Sequence, residues 1–223
     1  MPLALVIAAK DLRAEMRTKE AVNASLAFSV VILALFSFAF DPDSEMTREI
    51  SGGLLWLVYA FAGALVLNRS FSRELPNDCL DGLIAAPISG GSLFLGKALA
   101  NSLLLLAVEL VSLPIFGIFY NVHWTRQFAP LLLVLLLGTW GVTLIGTFAS
   151  TLTVNIRLRE VMLPMLTYPM LVPVLMGSMH VSTVLLGGAP MGAPEILWIK
   201  MMLGFDAAFT AASLVLVEHV LVG

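Results

Sequence analysis

Six apolar stretches, each close to the length needed to cross a bilayer, limit what this chain can fold into. They run about 22–40, 52–68, 98–120, 128–152, 159–179 and 199–221. Crossing ~30 Å of hydrocarbon takes about 20 apolar residues in a helix. In hydrocarbon every backbone polar group must be bonded within the segment, so each stretch is read as a helix. Composition agrees, because a chain that is 59% hydrophobic and 12% charged cannot cover a soluble domain of 223 residues with polar groups. The expected fold is all-α and polytopic, a single transmembrane domain over 1–223 with six transmembrane helices. A net charge of -3 without a long basic run argues against nucleic acid as a partner. One cysteine, Cys79, excludes an intrachain disulfide and a cysteine-built metal site. His123, His180 and His219 share no ligand spacing, so no metal site is expected.

Basic residues orient the spans. With the N-terminus inside, the inner side carries Lys10, Arg13, Arg17, Lys19, Arg69, Arg73, Lys97, Arg157 and Arg159, and the outer side Arg48, Arg126 and Lys200. Nine of the twelve basic residues then face inward, and both termini are expected in the cytoplasm. The start does not read as a signal peptide, because charges follow the apolar "MPLALVIAA" instead of preceding it. Within 1–20, Leu5, Ala9, Leu12 and Met16 fall on one helical stripe, and Lys10, Arg13, Arg17 and Glu20 on another. That pattern predicts an amphipathic helix in the membrane interface, its basic side toward the headgroups; the other reading is the fringe of the first span. The segment 180–198 is too apolar for a free loop and too broken for a span, which predicts re-entrant helices on the outer side. Trp124 and Trp198 read as interface anchors. His123 and His180 fall at the outer face, where a haem axial ligand or a solvated side chain are both open readings.

The stretch "GGSLFLGKAL" (90–99) has the spacing of a phosphate-binding loop, G-x-x-x-x-G-K-[ST]. Its interior, Ser92-Leu93-Phe94-Leu95, is bulky, Ala98 replaces the hydroxyl residue, and no strand precedes it. Nucleotide binding is therefore not expected here, and Lys97 is read as reaching toward lipid phosphates. The stretch closes a cytoplasmic loop, 69–97. Inside that loop Pro76 can begin a helix, Asp78 and Asp81 suit its first turns, and Pro87 ends it. Leu80, Leu83 and Ile84 share one face. A helix of about ten residues is too short to be stable alone, so it packs on its own bundle or in a groove on a soluble partner.

Two acidic residues fall within spans. Glu109 and Asp206 are each read either as a gate or proton-linked group, or as a hydrogen bond pinning one helix to another. Pro164, Pro169 and Pro173 interrupt the fifth span and should bend it, and Tyr168 among them is a candidate pathway residue. No catalytic set is found: Ser178 and His180 are two residues apart, on different helix faces.

The chain resembles the CcmB family, the membrane subunit of the haem exporter, or cytochrome c maturation ABC system. The resemblance is carried by "KDLRAEMRTKE" (10–20), Arg69 and Phe71 after span two, "NDCLDGLIAAP" (77–87), "LGK" (95–97) and "VELVSLPIFGIFYN" (108–121). It departs at Asn68, where many members carry glutamate, and at Ser89, Gly90 and Gly91, where others carry charges. The resemblance implies a six-span permease similar to the type-2 ABC exporters, with no catalysis of its own. An elbow helix would carry Lys10, Asp11, Arg13 and Arg17. A coupling helix containing Asn77, Asp78, Leu80, Asp81, Leu83, Ile84 and Pro87 would dock on a separate ATPase subunit, CcmA. Implied partners are that ATPase, a second copy of the permease, the membrane proteins CcmC and CcmD, the haem chaperone CcmE and the lipid bilayer. No cofactor is bound covalently, ATP sits on the partner, and haem is at most a transient ligand. The setting is a bacterial inner membrane. Two other readings share much of this sequence pattern: an ABC-2 exporter for a lipid or drug, and a secondary transporter driven by protons at Glu109 and Asp206.

Overall fold

The computed structural model describes residues 2–42, 44–68, 89–153 and 159–222. All the regular elements among them are helices: α1 (Pro2–Thr18), α2 (Glu20–Ala39), α3 (Glu45–Asn68), α4 (Gly90–Phe119), α5 (Phe128–Thr153), α6 (Arg159–Leu186) and α7 (Ala193–Val222). Helices α2 to α7 are each long and apolar enough to cross a membrane. The predicted coupling residues Asn77, Asp78, Leu80, Asp81, Leu83, Ile84 and Pro87 lie outside the described residues.

Helix α3 is the centre of the bundle. Two thirds of its apolar window is buried, against about a fifth for α2 and α7. It packs on α2, α4, α5 and α6. Trp56 and Tyr59 of α3 are fully enclosed, in one core with Leu105 and Phe116 of α4, Val134 and Val142 of α5, and Val174 and Val181 of α6. Small residues allow the closest approaches. At Gly52 the α3 backbone meets Met179 and Thr183 of α6 so closely that no Cβ fits. There the Gly52 N–H donates to Thr183 Oγ1 at 3.1 Å. One turn on, the Trp56 indole N–H donates to Ser182 Oγ at 2.9 Å, satisfying a polar group that would otherwise be unpaired in an apolar interior.

Several helices begin earlier or end later than their apolar cores. Helix α3 starts at Glu45, not 52, because the Ser44 hydroxyl accepts from the Thr47 N–H and caps the first turn. Helix α4 starts at Gly90, so the last residues of the predicted loop 69–97 are helical. Ser89 is its cap, accepting from the Ser92 N–H. At 30 residues α4 is about 45 Å long, longer than the hydrocarbon is thick. The re-entrant segment expected over 180–198 is corrected. Residues 180–186 complete α6 and 193–198 begin α7. Between them Gly188 adopts φ 80°, the Gly188 N–H donates to Leu185 O at 3.0 Å, and the Ala189 N–H to Val184 O at 3.2 Å. This is a Schellman ending, and Pro190 follows it. Helix α7 then opens with Glu195 Oε2 accepting from the Gly192 N–H at 2.7 Å, as in a capping box.

Candidate functional site

Gly96 and Lys97 of the stretch 90–99 hold the elbow helix. Helix α1 packs along the start of α4. A Cβ on Gly96 would lie 2.7 Å from Ala4 O and 2.7 Å from Ile7 Cβ, so only glycine permits this approach. The next residue, Lys97, is buried, and its Nζ lies 3.3 Å from Asp11 Oδ2 of α1. The expectation that Lys97 reaches toward lipid phosphates is corrected: α1 covers it, and a carboxylate from α1 meets it. Asp11 also pairs with Lys10 at 3.2 Å. Four residues further along, Glu15 is buried and Oε1 accepts from the Ala21 N–H at 2.8 Å and the Val22 N–H at 3.1 Å. These are orphan donors of the first turn of α2, where a carboxylate is favoured by the helix dipole. Lys19, at φ 54°, makes the corner between α1 and α2.

At 100° per residue α1 therefore has three faces. Ala4, Ile7, Ala8 and Glu15 are buried and Asp11 faces Lys97, so this side lies on α4. The predicted apolar stripe lies to one side, with Leu5 and Met16 exposed and Ala9 and Leu12 partly covered. Lys10, Arg13 and Arg17 occupy the side opposite the buried one and line a shallow basin with Val6 and Ala14. The stripe seen in the sequence is real but does not face the protein. The protein-facing side is marked instead by small residues and two acids, a pattern without hydrophobic periodicity.

Glu109 is fully buried on α4. Thr139 Oγ1 of α5 donates to its Oε2 at 2.6 Å, while Oε1 has no partner among the described residues. Two further rungs run down the same pair of antiparallel helices. Ser102 and Thr143 share a hydroxyl contact at 2.5 Å, and Asn101 Nδ2 donates to Thr147 Oγ1 at 2.9 Å. Interhelical hydrogen bonds in membranes average about 0.6 kcal/mol, so three rungs contribute on the order of 2 kcal/mol and fix register more than they add stability. Tyr59 of α3 joins this network, its hydroxyl donating to the Glu109 backbone carbonyl at 3.2 Å. The pinning reading of Glu109 thus has a named partner.

Asp206 differs. It is buried on α7 and neither carboxylate oxygen has a hydrogen-bond partner among the described residues. Its Oδ1 points at the α5 backbone, 2.7 Å from where a Cβ on Gly141 would sit. Glu109 and Asp206 are therefore held separately, one on the α4–α5 seam and one on the α5–α7 seam.

Helix α6 runs unbroken through Pro164, Pro169 and Pro173. Pro169 and Pro173 lie on its exposed face with Val172 and Met176. Tyr168 is turned the other way, edge-on to Phe61 at 5.9 Å, and lines a cavity of about 10 Å³ with Ala60, Ala64, Val142 and Leu171. That space, at the lower limit for one water, is what Tyr168 lines among the described residues. His180 is half exposed and lies 3.8 Å from Glu195, with its ring centroid 5.8 Å from that of Trp198. Trp124 stacks edge-on to Phe128 and packs on Gly117.

Sequence reasoning missed Glu15, Gly96 as a packing residue, Thr139 and the Gly52–Thr183 contact. Of these only Gly96 carried a signal, its place in "LGK", and that signal was read for a different chemistry.

Comparison with known proteins bears on the whole chain. The family described as CcmB protein matches residues 3–220. "Heme exporter protein B" of Rhodobacter capsulatus is 31% identical over 208 residues, covering 93% of this chain and 91% of the relative. Its namesake in Paracoccus denitrificans is 31% identical over 209 residues, with the same coverage of each chain. That of Pseudomonas aeruginosa is 29% identical over 206 residues, covering 92% and 91%. The elbow but for Pro2, its corner and the six apolar spans fall within the matched range, and the chain belongs to the CcmB family.

Proposed function

We propose that this chain is the permease subunit of a haem-export ABC system in cytochrome c maturation, a multi-pass membrane subunit that does no catalysis of its own. The observation that carries the reading is the family match over residues 3–220, laid on a six-span bundle with a clamped elbow helix. The likeness does not favour an exporter for a lipid or drug, nor a proton-driven secondary transporter.

In mechanism, hydrolysis of ATP falls to a separate CcmA-like subunit. That subunit pushes on residues 77–87, with Leu80, Leu83 and Ile84 in its groove, Asn77, Asp78 and Asp81 at the rim and Pro87 ending the lever. The push reaches α4, to which α1 is fastened through Gly96 and the Lys97–Asp11 pair, so elbow and span three move as one body. A second copy of the chain, CcmC- and CcmD-like membrane proteins and a CcmE-like haem chaperone complete the assembly in a bacterial inner membrane, with both termini cytoplasmic. The output is haem delivery, or release of the haem-loaded chaperone.

Deletion of the gene tests the reading. Holo-cytochrome c is expected to disappear while haem persists on the chaperone, and unchanged cytochromes would overturn it. The lever has its own test, because Leu83→Asp should leave the permease inserted yet abolish co-purification of the ATPase.

A further inference from the structure

At the end of the bundle opposite the elbow, the fold gathers basic groups that are far apart in sequence. Arg48 is in the first turns of α3, and Arg126 is in the turn between α4 and α5. Both line one pocket of about 230 Å³, together with Ser51, Asn121, His123 and Gly187. Neither guanidinium has a carboxylate partner among the described residues, and no acidic residue lines the pocket. The walls are held by backbone devices independent of the arginines. Gly188, in its left-handed conformation, lies beside the Arg126 side chain, whose Nη1 is 3.6 Å from its Cβ position, an ordinary packing contact. Asn121, at φ 48°, turns the chain out of α4 and brings His123 to the rim. Of the three basic residues assigned to this side of the protein, Arg48, Arg126 and Lys200, two meet here.

Two guanidinium groups lining one concavity, with no carboxylate partner among the described residues, are suited to planar anions, which each binds through two parallel N–H donors. The volume is below the range of about 300–1,000 Å³ typical of sites that enclose a whole small molecule. It fits the charged edge of a larger ligand whose body stays outside. We propose that this pocket is a carboxylate site, and that it takes the propionate side chains of haem. The second clause rests on the haem-handling function proposed above. Arg48 and Arg126 bind the two carboxylates, Ser51 and His123 supply further polar contacts, and the apolar ring lies toward the membrane. With the elbow in the cytoplasm, this places the charged edge of the porphyrin at the outer surface.

The test uses the full-length chain in discs of phosphatidylcholine, alone and with its co-purifying subunits. Haem, protoporphyrin IX and the protoporphyrin dimethyl ester are titrated by quenching of tryptophan fluorescence, Trp124 being next to His123 in the chain. Both free acids should bind, and the ester, which lacks the carboxylate charges, should bind at least about tenfold more weakly. Arg48→Gln with Arg126→Gln should weaken the free acids by a similar factor and leave the ester unchanged. The paired lysine variants should recover part of the loss. Equal affinity for acid and ester, no binding of the acids, or an unaltered double variant would overturn the site. The ester comparison needs no variant, so a misfolded double variant does not protect the proposal. Displacement of the acids by added phosphatidylglycerol would reassign the pocket to lipid phosphate and overturn the haem clause. Normal cytochromes after gene deletion would remove the functional reading, while the titration would still decide the carboxylate site.

Discussion

At the elbow end, Lys97 is buried under α1 and faces Asp11 at 3.3 Å, and Glu15 is buried against the first turn of α2. At the opposite end, Arg48 and Arg126 share an open pocket and face no carboxylate among the described residues. Between the ends, Glu109 has a partner for one oxygen and Asp206 for neither. A charge taken out of water is costly unless something answers it. The elbow charges are therefore part of how the chain stands up, and the arginines, with no carboxylate partner among the described residues, suit something that arrives from outside. Each substitution below either separates these two kinds of charge or shows that they are the same.

Removing the two halves of the elbow pair should have unequal effects. Asp11→Asn leaves Lys97 buried without the carboxylate it faces. The expected loss is on the order of 3 kcal/mol, toward the lower end for a buried pair because Asp11 is partly exposed. Lys97→Met removes the buried charge itself, and Asp11 keeps Lys10 at 3.2 Å, so the loss should be about 1 kcal/mol or less. Thermal unfolding in discs measures both. Equal losses would mean that Lys97 is not held as a buried charge, and the contrast between the two ends would fail.

Gly96→Ala sharpens the same point without touching a charge. The added methyl meets the α1 backbone, which has no flexible end to move aside, so a loss of about 1–3 kcal/mol is expected, with α1 pushed from α4. Gly53→Ala is the control. Nothing lies within 4 Å of its Cβ position, and the substitution should be neutral or stabilise by up to about 1 kcal/mol through helix propensity. Proteolysis of the elbow, compared between the two variants, reads the displacement directly.

The two intramembrane acids should respond differently. Glu109→Gln keeps an oxygen for the Thr139 hydroxyl, so stability should stay within about 0.5 kcal/mol of wild type. Asp206→Asn replaces a carboxylate whose oxygens bond to nothing among the described residues, and should stabilise by about 1 kcal/mol. If the gain comes with loss of holo-cytochrome c, the carboxylate is kept for work and not for folding. A destabilised Asp206→Asn would reveal that another chain or bound water answers this carboxylate in the assembly.

The course of the chain through the membrane was legible because hydrophobic length is a property of contiguous sequence. The errors lie where capping or packing decides. Ser44 and Ser89 extended α3 and α4 past their apolar cores, and "GGAP" at 187–190 was a helix ending, not a break inside a re-entrant segment. The GG and the following proline were visible signals for that ending. The elbow was found by its stripe, yet its contact face was not, because Ala4, Ala8, Asp11 and Glu15 carry no apolar period. Lys97 was misread for the same reason: a lysine at a helix end normally reaches for water, and only tertiary structure shows that α1 lies in the way. Thr139 was invisible from Glu109, thirty residues away, as was the meeting of Arg48 with Arg126. Such pairings are set by which helices become neighbours, and no local pattern records that.

The smallest effect expected is the most discriminating for the pocket. Arg48→Gln with Arg126→Gln should change thermal stability by no more than about 0.5 kcal/mol, the usual range for exposed side chains outside a packed contact. The pocket's walls give the reason. Leu186 and Gly187, which line the pocket, belong to the α6 ending, whose backbone bonds use no guanidinium. A site kept for a ligand is built this way, with its scaffold complete before the charges are added. If instead the double variant melted as early as Asp11→Asn, the two arginines would be fastening the α3 and α4–α5 ends together as Lys97 fastens the elbow. The pocket would then be a structural joint, and the difference between the two ends of the bundle would be one of exposure alone.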